Sequence, residues 1–235
     1  MNDTRSEIEA GLRAMSISAP PALLDSLVRH LAMVAEANSQ FNLTTIPEAE
    51  SVQLHVLDSA AALKALSAAP PGDFADLGSG PGFPGIPLAL LSGRTVTLVE
   101  SVRKKAAFLD RVVAELRLEA SVQGIRAEEL AQMRPRSYSA VTARALSSLP
   151  SLVELASPLL ADGGLLICLK GDPEEAELLR GDAAGRRCGL KRVETISVVV
   201  PGVDARRTIV VYLRSGKTGV SLPRRNGMAQ RQPLA

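Results

Sequence analysis

Asp76-Leu-Gly-Ser-Gly-Pro-Gly-Phe-Pro-Gly-Ile-Pro-Leu-Ala-Leu90 is the stretch on which the reading of this chain turns. It has the form of a strand end, a glycine-rich turn and a helix start. Gly78, Gly80 and Gly82 make G-x-G-x-G, and a residue without Cβ lets a ligand come close to the backbone. Phe83 stands where a G-x-G-x-x-G dinucleotide fingerprint has its third glycine, which serves close helix–strand packing at a pyrophosphate site. That departure favours a nucleoside ligand without a pyrophosphate, such as S-adenosylmethionine.

Working outward, Pro70-Pro71-Gly72 is the clearest boundary in the chain. Before it, residues 3–68 read as helical. Pro20-Pro21 can open a helix, and Leu23, Leu24, Leu27, Val28, Leu31 and Val34 follow helical spacing. Asn42-Leu-Thr-Thr-Ile46 breaks the helix, and an amphipathic run then passes His55, Leu57, Ala61 and Leu66. After it, strands are expected at Phe74–Leu77, Thr95–Glu100, Ser121–Arg126, Tyr138–Ala143, Gly164–Lys170, Thr195–Val200 and Thr208–Leu213. Helices are expected at Pro84–Leu91, Arg103–Leu118, Leu149–Leu160 and Pro173–Arg187, with a short one before Tyr138. Alternating β and α elements imply a mostly parallel, doubly wound sheet. The short Pro201-Gly-Val-Asp204 link implies that the last two strands form an antiparallel hairpin. Such a seven-stranded α/β sheet, Rossmann-like with a closing hairpin, suits a class I S-adenosylmethionine-dependent methyltransferase better than a dehydrogenase. The expected organisation is a helical extension over 1–70, a methyltransferase domain over 71–214 and a basic tail over 215–235.

Composition narrows the partners. Aromatic residues are only 3% and Trp is absent, which argues against a base-stacking RNA platform. The formal net charge is +2, unevenly placed: no acid follows Asp204, whereas Arg206, Arg207, Arg214, Lys217, Arg224, Arg225 and Arg231 do. A neutral-to-acidic body with a basic end suggests a polyanionic partner. Taken alone, such an end more usually reads as a solvated, disordered tail. Cys168 and Cys188 lack metal or redox spacing. The N-terminus has early acids and no apolar core, so it does not read as a secretory signal. No membrane span and no metal are expected, and the expected location is the cytoplasm.

Ligands of open α/β sheets sit at the carboxyl ends of the strands. Glu100 ends the second strand, 22 residues after Gly78, where a carboxylate can accept from both ribose hydroxyls. Ala127 and Glu128 follow the third strand and can flank an adenine edge. Arg144 and Lys170 follow the fourth and fifth. The fourth-strand region, Val141-Thr-Ala-Arg-Ala145, lacks the Asp/Asn-Pro-Pro-aromatic motif of exocyclic-amine methylation. Neither cysteine sits in a Pro-Cys or Thr-Cys pair, so covalent attack on a pyrimidine is not expected. His30 and His55 are isolated in sequence. A substrate atom that is already nucleophilic fits these absences best.

Together these residues resemble the ribosomal RNA small subunit methyltransferase G family, also called glucose-inhibited division protein B. The resemblance rests on Phe41-Asn-Leu-Thr-Thr-Ile46, His55-Val-Leu-Asp-Ser59, the Asp76–Leu90 loop, Val99-Glu-Ser-Val-Arg-Lys-Lys-Ala-Ala-Phe-Leu109, Thr142-Ala-Arg-Ala145 and Leu169-Lys-Gly171. It implies methyl transfer from S-adenosylmethionine to N7 of a guanine in bacterial 16S rRNA. It also implies that Gly78, Gly80, Gly82, Phe83, Ala127, Glu128 and Arg144 contact the cofactor or line its pocket, while Glu100 holds the ribose. Asn42, His55, Asp58 and Lys170 then shape the substrate side, with Arg144 and Lys170 as the catalytic candidates and Arg224 and Arg225 as tail contacts to RNA. The tail, Pro223-Arg-Arg-Asn-Gly-Met-Ala-Gln-Arg-Gln-Pro-Leu234, keeps the double arginine and Pro-Leu but lacks the family's extra proline and lysines. The implied partner is 16S rRNA or the small ribosomal subunit, and the expected enzyme is a monomer. Three other readings are a small-molecule or protein methyltransferase, a nucleotide-dependent oxidoreductase, and a non-catalytic nucleotide-binding module tethered to RNA.

Overall fold

The computed structural model describes residues 2–235; Met1, where the expected extension begins, lies outside them. Seven strands form one sheet: β1 (Phe74–Leu77), β2 (Val96–Val99), β3 (Ala120–Gln123), β4 (Tyr138–Arg144), β5 (Leu160–Lys170), β6 (Leu190–Val198) and β7 (Arg207–Arg214). Their order is β3-β2-β1-β4-β5-β7-β6. Neighbours from β3 to β5 run parallel, and β7 lies antiparallel between β5 and β6. The chain winds outward from β1 in one direction and from β4 in the other. A crevice therefore opens at the carboxyl ends of β1 and β4.

Strand side chains alternate between two apolar layers, as a period of two requires. Phe74, Ala140, Leu165, Ile167, Ile209 and Val211 face one layer. Ala75, Val141, Leu166, Cys168, Val210 and Tyr212 face the other. The second layer is closed by α7 (Ala127–Met133), α8 (Leu149–Ala156) and α9 (Glu175–Cys188). The first is closed by α5 (Gly85–Ser92), α6 (Arg103–Leu116) and the N-terminal helices. These are α1 (Asn2–Ala14) and α2 (Pro21–Gln40), followed by α3 (Asp58–Ala60) and α4 (Leu63–Ala68).

The boundary at Pro70–Gly72 separates elements but not cores. Ile8, Leu12, Leu24 and Leu27, each at most 2% exposed, share one core with Phe74, Ile86 and Leu98. Burying each such side chain contributes roughly 1.5–3 kcal/mol, so the extension is held against the sheet face by its apolar stripe. Arg94 secures the linker, donating to the carbonyls of Leu66, Pro70 and Gly72 and to Ser139 Oγ.

Three expected details change. Strand β5 starts at Leu160 rather than Gly164, so Asp162-Gly163-Gly164 lies inside it, beside the register shift between Tyr138 and Ala140. Strand β6 starts at Leu190 rather than Thr195, because Gly189 (φ 73°) ends α9 in the left-handed conformation and the strand follows at once. Lys191 and Glu194 obscure that strand in the sequence; as charged residues of the sheet's edge they are exposed. The tail is not a disordered appendage: Ala229 and Leu234 are buried in the second layer, and Arg224 forks onto Glu154. Among the described residues no helix is long and apolar enough to cross a membrane.

Candidate active site

The three glycines of the turn serve different ends. A Cβ on Gly78 would come within 2.7 Å of Leu146 Cδ1, and one on Gly82 within 2.5 Å of Ile86 Cδ1 and 3.0 Å of His30 Nε2. Those two make room for protein. A Cβ on Gly80 would meet nothing nearer than the Gly78 carbonyl oxygen at 3.9 Å, so the space beside it is left for a ligand. Sequence reasoning looked for a helix-packing glycine at Phe83. The structure supplies it two residues later: a Cβ on Gly85 would lie 2.6 Å from Leu98 Cδ2 and 2.8 Å from Asp76 Oδ2. Buried Asp76 anchors this turn, accepting from Thr142 Oγ1 at 2.7 Å and from the Gly85 N–H at 3.2 Å.

Two cavities meet at the turn. The smaller, about 240 Å³, is lined by Gly78, Gly80, Glu100, Ala127 and Glu128, with Ile125, Leu146 and Leu155 as apolar walls. Glu100 is only 7% exposed. Its Oε2 accepts from the Gly80 N–H at 3.0 Å and its Oε1 from the Val102 N–H at 2.8 Å. Each oxygen keeps a second lone pair, so the carboxylate is held rigidly and can still accept from a vicinal diol. A slot that combines apolar walls with a fixed carboxylate fits a nucleoside.

The larger cavity, about 640 Å³, is lined by Asn42, His55, Asp58, Phe83, Arg144 and Lys170, together with Lys105 and Arg207. Gly78, Lys105 and Ala145 line both cavities and mark their junction. The Asn42 loop is shaped by Asn38 Oδ1, which accepts from the N–H groups of Leu43 and Thr44. A π-helical turn, Val52–Leu57, carries His55 into α3 and brings it and Asp58 to one wall. Such turns are recurrent at functional sites.

Arg144 ends β4 and reaches across to this wall. Its Nη1 donates to the Leu54 carbonyl and to Asp58 Oδ2 at 2.8 Å, and its Nη2 to His55 Nδ1 at 3.2 Å. The other Asp58 oxygen accepts from Arg207 Nε at 2.7 Å. Lys170 Nζ lies 2.8 Å from Glu177 Oε1 and 3.3 Å from the Ser147 carbonyl oxygen.

His30 and His55, far apart in sequence, are not isolated. Both stack on the same ring, Phe83, with centroids 4.5 and 4.2 Å away. His30 Nε2–H donates to the Pro81 carbonyl at 2.8 Å. Because Arg144 donates to His55 Nδ1, the His55 proton sits on Nε2, facing Thr44 Oγ1 at 3.4 Å. Burial pushes His30 down to about 4. Burial, then the charges of Arg144 and His30, push His55 down to about 3. Both are buried neutral, while the unfolded chain titrates near 6.5. Their contribution is complete above pH 6.5 and is lost as pH falls toward 4 and 3, on the order of 3 kcal/mol for each. Burial raises Asp76 to about 6, and this opposes the trend, favouring the folded state as pH falls from 6 toward 3.8. Two histidines outweigh one carboxyl. The urea midpoint is expected to fall clearly between pH 7.5 and pH 5, and His30→Gln should flatten that dependence.

The structure thus gathers Asn42, His55, Asp58, Phe83, Arg144 and Lys170 around one cavity, and Gly80, Glu100, Ala127 and Glu128 around the other. Arg144, expected on both sides, lines only the larger. Arg224 and Arg225 line neither, and Arg224 is paired with Glu154. Sequence reasoning missed Lys105, Arg207 and Gln230, the last a lining residue of the smaller cavity. Arg207 was foreseeable: in an antiparallel closing strand its neighbour Thr208 pairs with Lys170, so the start of β7 lies at the carboxyl end of β5. Among the described residues no cluster of three or more His, Cys, Asp or Glu could hold a metal ion.

This strand order is that of the class I methyltransferase fold, and together with the chain's match to a family model it makes the chain an S-adenosylmethionine-dependent methyltransferase. Solved structures share the fold at low identity. Geranyl diphosphate C-methyltransferase from Streptomyces coelicolor A3(2), bound to Mg2+, geranyl diphosphate and S-adenosyl-L-homocysteine, aligns with a TM-score of 0.52 at 15% identity over 66% of this chain and 78% of that one. M. jannaschii TYW2 in complex with AdoMet aligns at 0.52 and 14% identity over 66% and 74%. The family model of GidB, rRNA small subunit methyltransferase G, matches residues 23–209, and the chain belongs to that family. The ribosomal RNA small subunit methyltransferase G of Pelotomaculum thermopropionicum is 35% identical over 232 residues, covering 97% of both chains. That of Cupriavidus pinatubonensis is 37% identical over 223 residues, covering 89% of this chain and 94% of its own.

Proposed function

We propose that this enzyme, an S-adenosylmethionine-dependent methyltransferase of small-subunit ribosomal RNA, methylates N7 of a guanine in bacterial 16S rRNA by in-line displacement without a general base. The observation that carries this reading is the state of the larger cavity's acid–base groups. Its single lining carboxylate, Asp58, has one oxygen on Arg144 and the other on Arg207. The His55 Nδ1 lone pair is taken by Arg144. No free base faces the junction among the described residues. Guanine N7 has a lone pair and no proton to lose, so it needs none; an exocyclic amine or a ribose hydroxyl is a poorer match.

S-adenosylmethionine supplies the electrophilic sulfonium methyl group. In this reading Glu100 holds the ribose diol, and Gly78, Gly80, Ala127 and Glu128 shape the nucleoside slot. Gly82 and Phe83 fix the turn. Asn42, His55 and Asp58 set the substrate wall, and Arg144 and Lys170 face the base and its phosphates. Because N7 must stay free, a contact from Arg144 belongs on O6 or on phosphate. Aligning donor and acceptor atoms at about 3–3.5 Å can supply much of the acceleration. The partner is 16S rRNA or the small ribosomal subunit in the cytoplasm, and the enzyme acts as a monomer.

The test is transfer of tritiated methyl from S-adenosylmethionine to small ribosomal subunits lacking the modification, followed by digestion and identification of the labelled nucleoside. Label in 7-methylguanosine of 16S rRNA is the expected result. Label on an exocyclic amine or a ribose would overturn the N7 assignment. Cofactor binding with no transfer to subunits or naked rRNA would move the substrate to the small molecules and proteins.

A further inference from the structure

We infer that the C-terminal segment, residues 223–235, is the outer wall of the nucleoside slot, and that Gln230 reads the adenine edge of the cofactor there. The inference rests on the proposed occupancy of that slot by S-adenosylmethionine. Three observations carry it.

The segment is latched from inside. Arg224 makes a two-pronged bond to Glu154, Nε to Oε1 and Nη2 to Oε2, both at 2.6 Å. Glu154 is only 3% exposed, so this is a bidentate ion pair largely withdrawn from water. The same guanidinium donates to the Gln232 carbonyl, closing the segment on itself, and Arg187 Nη1 donates to the Leu234 carbonyl at 2.9 Å. Ala229 and Leu234 fill the apolar layer beneath.

The segment is also tied to the residues that flank the slot. The Gly227 N–H donates to Glu128 Oε1 at 2.7 Å, and Asn226 Nδ2 to Glu129 Oε1 at 3.0 Å. Glu128 therefore has one oxygen spent on the tail, and its cofactor role is shared with a positioning one. Gln230 is the one residue of the segment that lines the slot, facing the same space as Gly80, Glu100 and Ala127.

The chemistry of the side chain matches the ligand. Adenine presents a donor at N6 beside ring-nitrogen acceptors. A glutamine amide presents an acceptor and a donor on one plane, which is why Gln and Asn pair bidentately with adenine elsewhere. With Glu100 committed to the ribose end, Gln230 is the lining residue whose side-chain amide offers both groups in one plane to the base. The basic tail, read from composition as an RNA tether, thereby becomes part of the cofactor site.

The experiment is calorimetric titration of the full chain with S-adenosylhomocysteine and with its hypoxanthine analogue, S-inosylhomocysteine, whose N6 amine is replaced by a carbonyl. Wild-type protein should prefer the adenine form. Gln230→Ala should weaken S-adenosylhomocysteine about tenfold, the worth of one or two hydrogen bonds, and should narrow the preference between the two nucleosides. Gln230 is exposed at the rim, so the variant is expected to keep its melting temperature. Arg224→Ala, which opens the latch, should weaken both ligands. Unchanged affinity and unchanged preference in Gln230→Ala would overturn the inference while leaving the cofactor assignment intact. Failure of the wild-type chain to bind S-adenosylhomocysteine would overturn both.

Discussion

Gly80→Asp should leave the chain folded and abolish cofactor binding. A Cβ at this position has open space around it, and φ of +54° is a region that Asp tolerates at modest strain. The new carboxylate would project into the slot beside Glu100, whose own carboxylate is held there by the Gly80 N–H. Two like charges about 4 Å apart in a half-buried site repel by up to about 4 kcal/mol. The side chain also occupies the ligand's volume. A loss of at least about 100-fold in S-adenosylhomocysteine affinity is expected, equivalent to about 2.8 kcal/mol. Gly82→Asp is the contrast: its Cβ would collide with Ile86 and His30, so that variant should lose stability. Calorimetric titration and thermal melts of the pair separate the two kinds of glycine. Near-normal affinity in Gly80→Asp would remove the slot from cofactor binding.

Arg144→Ala should cut methyl transfer by about 100- to 1000-fold, the usual cost of deleting one preorganised charge at a reacting centre. The guanidinium holds three partners on the opposite wall and lies 5.7 Å over the Phe83 ring. Its loss frees His55 Nδ1 and one oxygen of Asp58. Arg207 remains on the other oxygen, so Asp58 is not left an orphan charge and the fold should survive. Because Arg144 lines only the larger cavity, S-adenosylhomocysteine affinity should change far less than turnover. Single-turnover methylation of subunits beside a binding titration reads both quantities. Wild-type turnover would take Arg144 out of the chemistry, and an equal fall in both would place it on the cofactor.

The strand alternation was legible because turn residues punctuate it and because the central strands are largely buried and rich in apolar residues. Phe74–Leu77 is buried along its whole length, Asp76 included. Glu100, Ala127, Arg144 and Lys170 could be placed at strand ends once the strands were known, since one topological rule puts every parallel strand's carboxyl end on one edge. What escaped were contacts between segments with no local pattern. Nothing near His30 announces that residues 53 and 25 positions further along supply its neighbours Phe83 and His55. The packing of the tail was hidden for a related reason. Composition counts the charge of Arg224, whereas the fold pairs it with Glu154, a carboxylate hidden on an otherwise apolar helix.

The core shared across the Pro70–Gly72 linker bears on how the chain can be synthesised. Residues 8–66 are synthesised before Phe74, Ile86 and Leu98, the side chains on which they pack. At about 5–20 residues per second the apolar stripes of α1 and α2 stay uncovered for seconds. The extension cannot mature as an independent unit ahead of the sheet. A nascent chain stalled near residue 70 should be captured by a holdase chaperone and cleaved readily by protease, whereas one extended past α6 with its tunnel-spanning linker should resist both.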